Sequence, residues 1–158
     1  MSSIPTTYNG VRFRSRLEAR WAAWFDLKGD CRWEYEPIDL NGWIPDFALY
    51  VKGTEKPALV EIKPVTTFEQ FTASGENEKI LTALVRDAKE RITDSYCTIM
   101  VLGINPDIGW ILKTAECGCQ PEIFFTPLPE ANDPHNRAAW REAGNRTQWK
   151  PPRLGGRK

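Results

Sequence analysis

Two stretches in the first half of the chain hold residue types that could do chemistry. They are Trp43-Ile44-Pro45-Asp46-Phe47-Ala48-Leu49-Tyr50 and, after a turn, Ala58-Leu59-Val60-Glu61-Ile62-Lys63. Two carboxylates and a lysine on paired strands are the apparatus for metal-dependent cleavage of a phosphodiester. Side chains alternate along a strand, so Glu61 and Lys63 point one way while Val60 and Ile62 point to the opposite, apolar side. One face is expected to do chemistry and the other to pack.

The elements that must position these residues follow from periodicity and turn chemistry. Phe13, Leu17, Trp21 and Trp24, spaced by three and four with Phe25 beside them, predict an amphipathic helix from Ser15 to about Lys28, stopped by Gly29. Cys31 to Asp39 reads as a strand. Asn41-Gly42, a strong two-residue turn signal, is expected to join it as a hairpin to a second strand from Ile44 to Val51. A third strand covers Ala58 to Lys63 and ends at Pro64. A second helix is expected from Glu76 to Ile92, with Ile80, Leu84, Val85 and Ala88 on one face. The continuous apolar run Thr98 to Gly103 after a helix suits a buried strand parallel to its neighbour. Short strands at Gly109 to Leu112 and Ile123 to Phe125 and a closing helix from Asp133 to Ala143 complete the reading. The order α-β-β-β-α-β describes an α/β fold, a mixed sheet flanked by helices.

At 158 residues and 41% hydrophobic, the chain suits one domain with a real core, here residues 1–132, and a basic C-terminal helix and tail, 133–158. The first ten residues hold no apolar run of a signal peptide, and no stretch of roughly 18 uncharged apolar residues could span a bilayer. A cytoplasmic protein without membrane contact is expected, with its four cysteines reduced. The net charge is zero but segregated. Residues 133–158 carry seven Lys/Arg against Asp133 and Glu142, leaving 14 basic and 19 acidic residues in the body. Arg12, Arg14, Arg16 and Arg20 form a second basic cluster at the first helix. Local patches of this kind can still bind a polyanion.

Pro-Asp on the second strand and Glu-x-Lys on the third, in this order of elements, resemble the core of the PD-(D/E)XK nuclease superfamily over roughly residues 10 to 103. Phe13-Arg14-Ser15-Arg16-Leu17-Glu18-Ala19-Arg20-Trp21-Ala22, Tyr35-Glu36-Pro37 and Ala143-Gly144-Asn145-Arg146-Thr147-Gln148-Trp149 look like signatures of a phage and bacterial group of that superfamily. The arrangement is similar to phage-type endonuclease I junction resolvases and transposon end-cleaving nucleases, which also carry a glutamate on the first helix.

The resemblance implies a restriction-endonuclease-like core and a metal-dependent DNA endonuclease, phage or mobile-element encoded, structure-selective or weakly specific. Asp46 and Glu61 would hold Mg2+ or Mn2+ with the backbone carbonyl of Ile62 as a third ligand. Lys63 would orient and help deprotonate the attacking water and offset charge on the phosphorane. Glu18 would complete the site from the helix, directly or through water, and assist a second metal if two are bound. Helical phase permits this, because Glu18, Ala22 and Phe25 fall on one stripe. DNA is the expected partner, with Arg14, Arg16, Arg137, Arg141, Arg146 and Lys150 contacting it. A homodimer would serve cutting of both strands, and a larger DNA-processing complex would supply further partners.

Each residue has a plainer alternative. Ser15-x-x-Glu18 also fits a capping box, Asp46 could be a turn residue, and Glu61 with Lys63 could form a solvated strand face. Glu36 is read as fixing the strand end or pairing with an arginine, outside the site. Cys117-x-Cys119 with His135 is a partial match to a zinc site whose one-residue gap is too short, and a loop with free thiols fits better. Trp21 and Trp24 belong to the helix stripe. Trp140 and Trp149, set among basic residues, could stack on bases or anchor the tail. The functional alternative is a non-catalytic nucleic-acid-binding or assembly module built on the same fold.

Overall fold

The computed structural model describes residues 3–90, 96–117, 120–128 and 134–148. Helix α1 (Arg16–Lys28) starts where Ser15, in extended conformation, accepts a hydrogen bond on Oγ from the Glu18 amide at 3.1 Å. It stops at Gly29, whose positive φ of 70° lets its N–H return to the Phe25 carbonyl at 3.2 Å. Glu18, Trp21, Ala22 and Phe25 are buried along one side, as the predicted stripe requires. Phe13, expected to lead that stripe, lies instead on a strand. A hairpin of β1 (Thr6–Tyr8) and β2 (Val11–Phe13) turns at Asn9-Gly10 and lays Phe13 against the rings of Trp33, Tyr35 and Phe47.

A six-stranded mixed sheet forms the centre: β3 (Cys31–Tyr35), β4 (Phe47–Val51), β5 (Ala58–Ile62), β6 (Thr98–Leu102), β7 (Gly109–Cys117) and β8 (Gln120–Pro127), in that spatial order. Strands β5 and β6 run parallel, with Val60 opposite Met100, and the other pairs are antiparallel. A parallel pair needs a crossover. Here it consists of a short helix not foreseen from sequence, α2 (Phe68–Ala73), and the expected α3 (Glu76–Glu90). Its Ile80 and Leu84 are buried, but Val85 is 55% exposed and does not belong to the apolar face.

Asn41-Gly42 does make a two-residue turn, with φ of 53° and 95°, but not the one joining the first two strands of the sheet. The pairing of β3 with β4 closes at Tyr35 opposite Phe47, and the turn sits inside the intervening loop, bridging Leu40 to Trp43. Strand β3 therefore ends at Tyr35 and not at Asp39. The nested turn presents Trp43 to the protein interior, where it is 1% exposed.

Both faces of the sheet pack. One carries α1 and, through Trp140, α4 (Pro134–Arg146), over Phe47, Leu49, Val60 and Ile62. The other carries α2 and α3 over Ala48, Leu59, Ile99 and Val101. Every residue of β5 is buried, so the expected division into a chemical face and a packing face does not hold. The site lies at the end of β5, between covered faces. Helix α4 belongs to the same core: Arg20 donates twice to the Trp140 carbonyl, at 3.1 and 2.8 Å, and lies over its ring, while Trp21 packs beside it. Trp140 anchors the helix and is not free to stack on bases. Trp149, Lys150, Asp133 and Cys119, and the side chain of Cys117, lie outside the described residues. Among the described residues no helix is long and apolar enough to cross a membrane.

Candidate active site

Pairing of β4 with β5 ends at Phe47 opposite Val60. Just beyond it, the Ile62 N–H is taken by a side chain: Asp46 Oδ2 accepts it at 2.7 Å. Asp46 is thus locked at the lead-in to β4, 3% exposed, and its Oδ1 faces the Arg14 guanidinium at 2.7 Å. Arg14 also reaches Glu36 at 2.9 Å, so Glu36 pairs with an arginine as expected. Glu61 is 5% exposed and held at both oxygens. Trp43 Nε1 donates to Oε2 at 3.0 Å, and Lys63 Nζ lies 2.9 Å from Oε1. Lys63 also reaches Glu76 at the start of α3, at 3.5 Å.

Glu18 closes the constellation from α1. The capping reading of this residue is correct in part: its Oε1 accepts from Ser15 Oγ at 2.8 Å and its Oε2 from the Arg14 amide at 3.2 Å. The Tyr35 hydroxyl donates to Oε2 at 2.6 Å, and burial with this bond pushes the phenol up to about 12. Yet Glu18 also lines the cavity that holds the strand residues. That cavity, about 370 Å³, is bounded by Arg14, Glu18, Asp46, Glu61, Ile62 and Lys63, with Glu76 and Lys79 from α3. A larger groove of about 650 Å³ lies between the N-terminal hairpin and β3, but its acids are engaged, Asp26 by Tyr8 and Trp33 and Glu34 by Arg32. The smaller cavity is the one equipped for chemistry.

The electrostatics follow from crowding acids in a covered place. Burial first, then the neighbouring Glu61, raises the Asp46 carboxyl from 3.8 to about 7, against the lowering effects of the Ile62 amide and Arg14. Burial works against the Lys63 charge, but Glu61 and then Glu76 outweigh it and its pKa is raised. Lys63 therefore carries its proton at neutral pH, as a donor that can orient water rather than a base that takes its proton.

The Asp46 shift fixes the sign of a stability effect. A carboxyl whose folded pKa is raised adds stability that is complete below about pH 4 and lost as pH climbs through about 7. Asp46→Asn should therefore raise the metal-free melting temperature at pH above 7 by on the order of a few degrees, and hardly change it under acid conditions. Thermal melts in chelator at both ends of the range test this. Equal shifts at the two ends would contradict it.

The donor set suits a hard divalent cation: buried carboxylates of Asp46, Glu61 and Glu18 around a polar cavity open to solvent at its mouth. In the arrangement described, no group of three His, Cys, Asp or Glu side chains is close enough to hold an ion among the described residues. Each carboxylate oxygen is turned to a protein donor. Asp46 Oδ1 and Glu61 Oε1 face side-chain cations, Arg14 and Lys63, which stand where an ion would have to bind. Asp46 Oδ2 and Glu61 Oε2 are held by the backbone and a buried indole, which keep both groups aimed.

The sequence motifs thus converge, with Asp46, Glu61, Lys63, Ile62 and Glu18 lining one cavity. Of the expected DNA-contacting residues, Arg14 lines it too. Arg16 is exposed at the start of α1. Arg137, Arg141 and Arg146 are exposed on α4 and do not line the cavity, with Arg146 paired to Glu142 at 3.1 Å and Arg137 within 3.9 Å of Asp107. Trp43, Tyr35 and Glu76 were not foreseen as parts of the site. The Asn-Gly turn preceding Trp43 was the available signal for the first.

Trp43 Nε1 is expected to matter through Glu61. Trp43→Phe keeps an aromatic ring in the core but deletes the donor, and should weaken Mn2+ binding by about tenfold or more. Paramagnetic titration of free Mn2+ measures it. Unchanged affinity in a folded variant would remove Trp43 from the site. No family model, curated protein or solved structure matches this chain.

Proposed function

We propose that this protein is a metal-dependent DNA endonuclease with a PD-(D/E)XK-type, restriction-endonuclease-like core, of the kind carried by phages or mobile elements. The observation that carries this reading is the meeting of Asp46, Glu61, Lys63 and Glu18 in one open-mouthed cavity at the end of β5. The order of α1, the antiparallel β3-β4-β5 meander and a crossover to parallel β6 supports it.

Asp46 and Glu61, with the backbone at Ile62 and with Glu18 alongside, would hold Mg2+ or Mn2+, which would supply Lewis-acid charge and an acidified water for in-line attack on phosphorus. Lys63, protonated and within 3.5 Å of Glu76 as well as beside Glu61, would orient the attacking water and offset negative charge developing on the phosphoryl oxygens. Trp43 and the Ile62 N–H keep the two carboxylates pointing into the cavity. Tyr35 and Ser15 fix Glu18 at its rim. Arg14, half exposed at the edge of the cavity, stands where a phosphate backbone would approach. No described element is set apart for reading base edges, so recognition by backbone and shape fits better than restriction-type readout.

A non-catalytic binding or assembly module is the second reading, favoured by the engagement of every site carboxylate with a protein donor. Labelled four-way junction and linear duplex, each incubated with Mg2+, Mn2+ or chelator, separate the two. Cutting in metal and none in chelator is expected, with the preferred substrate defining the geometry of action. Binding of both DNAs without cutting in either metal would favour the module.

A further inference from the structure

Arg14 stands in an unusual position for a residue expected only to touch DNA. Its Nη2 lies 2.7 Å from Asp46 Oδ1, the carboxylate oxygen not used by the Ile62 amide, and its Nε lies 2.9 Å from Glu36. The two ends of this pair differ in access. The Arg14 side chain is 59% exposed and the Asp46 side chain 4%. The guanidinium is therefore a solvent-reachable cap on a buried acid, and it puts a positive charge where a cation would bind. Glu36 is 37% exposed and directly follows β3, where its N–H donates to the Asp46 carbonyl at 2.9 Å. It gives the arginine a second hold that does not depend on Asp46.

We propose that Arg14 is a substrate-positioning residue with two stations: it occupies Asp46 Oδ1 in the metal-free protein, and when a divalent cation takes that oxygen, it turns out to hold a DNA phosphate. The inference rests on the proposed nuclease reading and adds an order to it. The cation must displace Arg14, and the displaced guanidinium becomes a phosphate contact beside the site. A guanidinium suits both stations: it gives one N–H to Asp46 Oδ1 and another to Glu36, and phosphate offers anionic oxygens of the same kind. Only the arginine end of the pair is in water, and a cation that takes Asp46 Oδ1 replaces the displaced charge, so the exchange leaves no buried carboxylate unpaired.

Two measurements on the full chain test the proposal. In the first, Mn2+ affinity is measured without DNA at constant pH for the wild type, Arg14→Gln, Arg12→Gln and Asp46→Asn. Removing the competing guanidinium should tighten Mn2+ binding by about fivefold or more. A damaged fold would not produce such a gain. Arg12→Gln removes an exposed charge two residues away along the chain that neither lines the cavity nor pairs with Asp46, and should leave the affinity unchanged. Equal tightening in Arg12→Gln would reduce the effect to general charge and overturn the proposal. In the second, duplex affinity is followed against salt. With chelator, the wild type and Arg14→Gln should share one slope, because Arg14 is held by Asp46. With Ca2+, the wild-type slope should exceed that of Arg14→Gln by about 0.9. A slope difference already present in chelator would mean that Arg14 reaches phosphate regardless of metal, and would overturn the two-station assignment. The outcomes also separate this inference from the function beneath it. If Asp46→Asn binds Mn2+ as the wild type does, the metal site itself is misplaced. If Asp46→Asn loses Mn2+ while Arg14→Gln is unchanged, the site stands and the role of Arg14 falls.

Discussion

Asp46→Ala and Asp46→Asn should both lower metal-dependent DNA cleavage by at least about a thousandfold, an effect of about 4 kcal/mol on the barrier. The two variants should nevertheless differ in stability. Alanine leaves the buried Ile62 N–H without its acceptor at 2.7 Å, a loss of about 1–3 kcal/mol. Asparagine can keep that bond through its carbonyl oxygen, and it removes a charge that burial and Glu61 disfavour. Single-turnover cleavage paired with thermal melts checks both halves. DNA binding should be largely kept, because Asp46 is buried and contributes no positive charge. A variant that melts like the wild type and still cuts would remove Asp46 from the mechanism.

Lys63→Met is the second large effect, and it should split rate from metal affinity. The ammonium lies 2.9 Å from Glu61 Oε1 and within reach of Glu76, in a place where it can orient water and neutralise developing charge. Loss of one such donor lowers turnover by about 10²–10³-fold. Mn2+ affinity should be unchanged or improved, since Glu61 Oε1 is relieved of its competing cation while Trp43 still holds Oε2. The unbranched methionine keeps most of the apolar stem. If metal affinity fell in step with turnover, Lys63 would be a scaffold for Glu61 and not a partner of the reacting phosphate.

What the sequence made legible was local. Ser15 and Gly29 bracket α1 because capping is a matter of adjacent residues. The apolar run at 98–103 announced a strand buried on both faces, and it pairs in parallel with β5. The Pro-Asp and Glu-x-Lys motifs were visible as residue types, and their convergence followed from the expected order of elements. What escaped was set by distant partners. Asn41-Gly42 specifies a turn, not which strands it joins, and here it serves Trp43 rather than the β3-β4 hairpin. Basic neighbours in sequence left Trp140 open to stacking on bases or to anchoring; the choice is made by its neighbours in space, Arg20 and Trp21, some 120 positions away along the chain. The strands of the β1-β2 hairpin, with three residues each, are too short for periodicity to register, although Asn9-Gly10 marked the turn. The Arg14-Asp46 pair was invisible for the same reason as Trp140: a charge pattern along the chain does not say which charges meet.

The most direct test of the central claim is plasmid cleavage by protein stripped with chelator and then resupplied with Mg2+, run beside Asp46→Asn. Nicked or linear product that forms in the wild type when Mg2+ is restored, and in neither protein under chelator nor in the variant with metal, is the predicted result. Cutting that persists under chelator, or proceeds equally in Asp46→Asn, would contradict a metal-dependent site built on Asp46, Glu61 and Lys63.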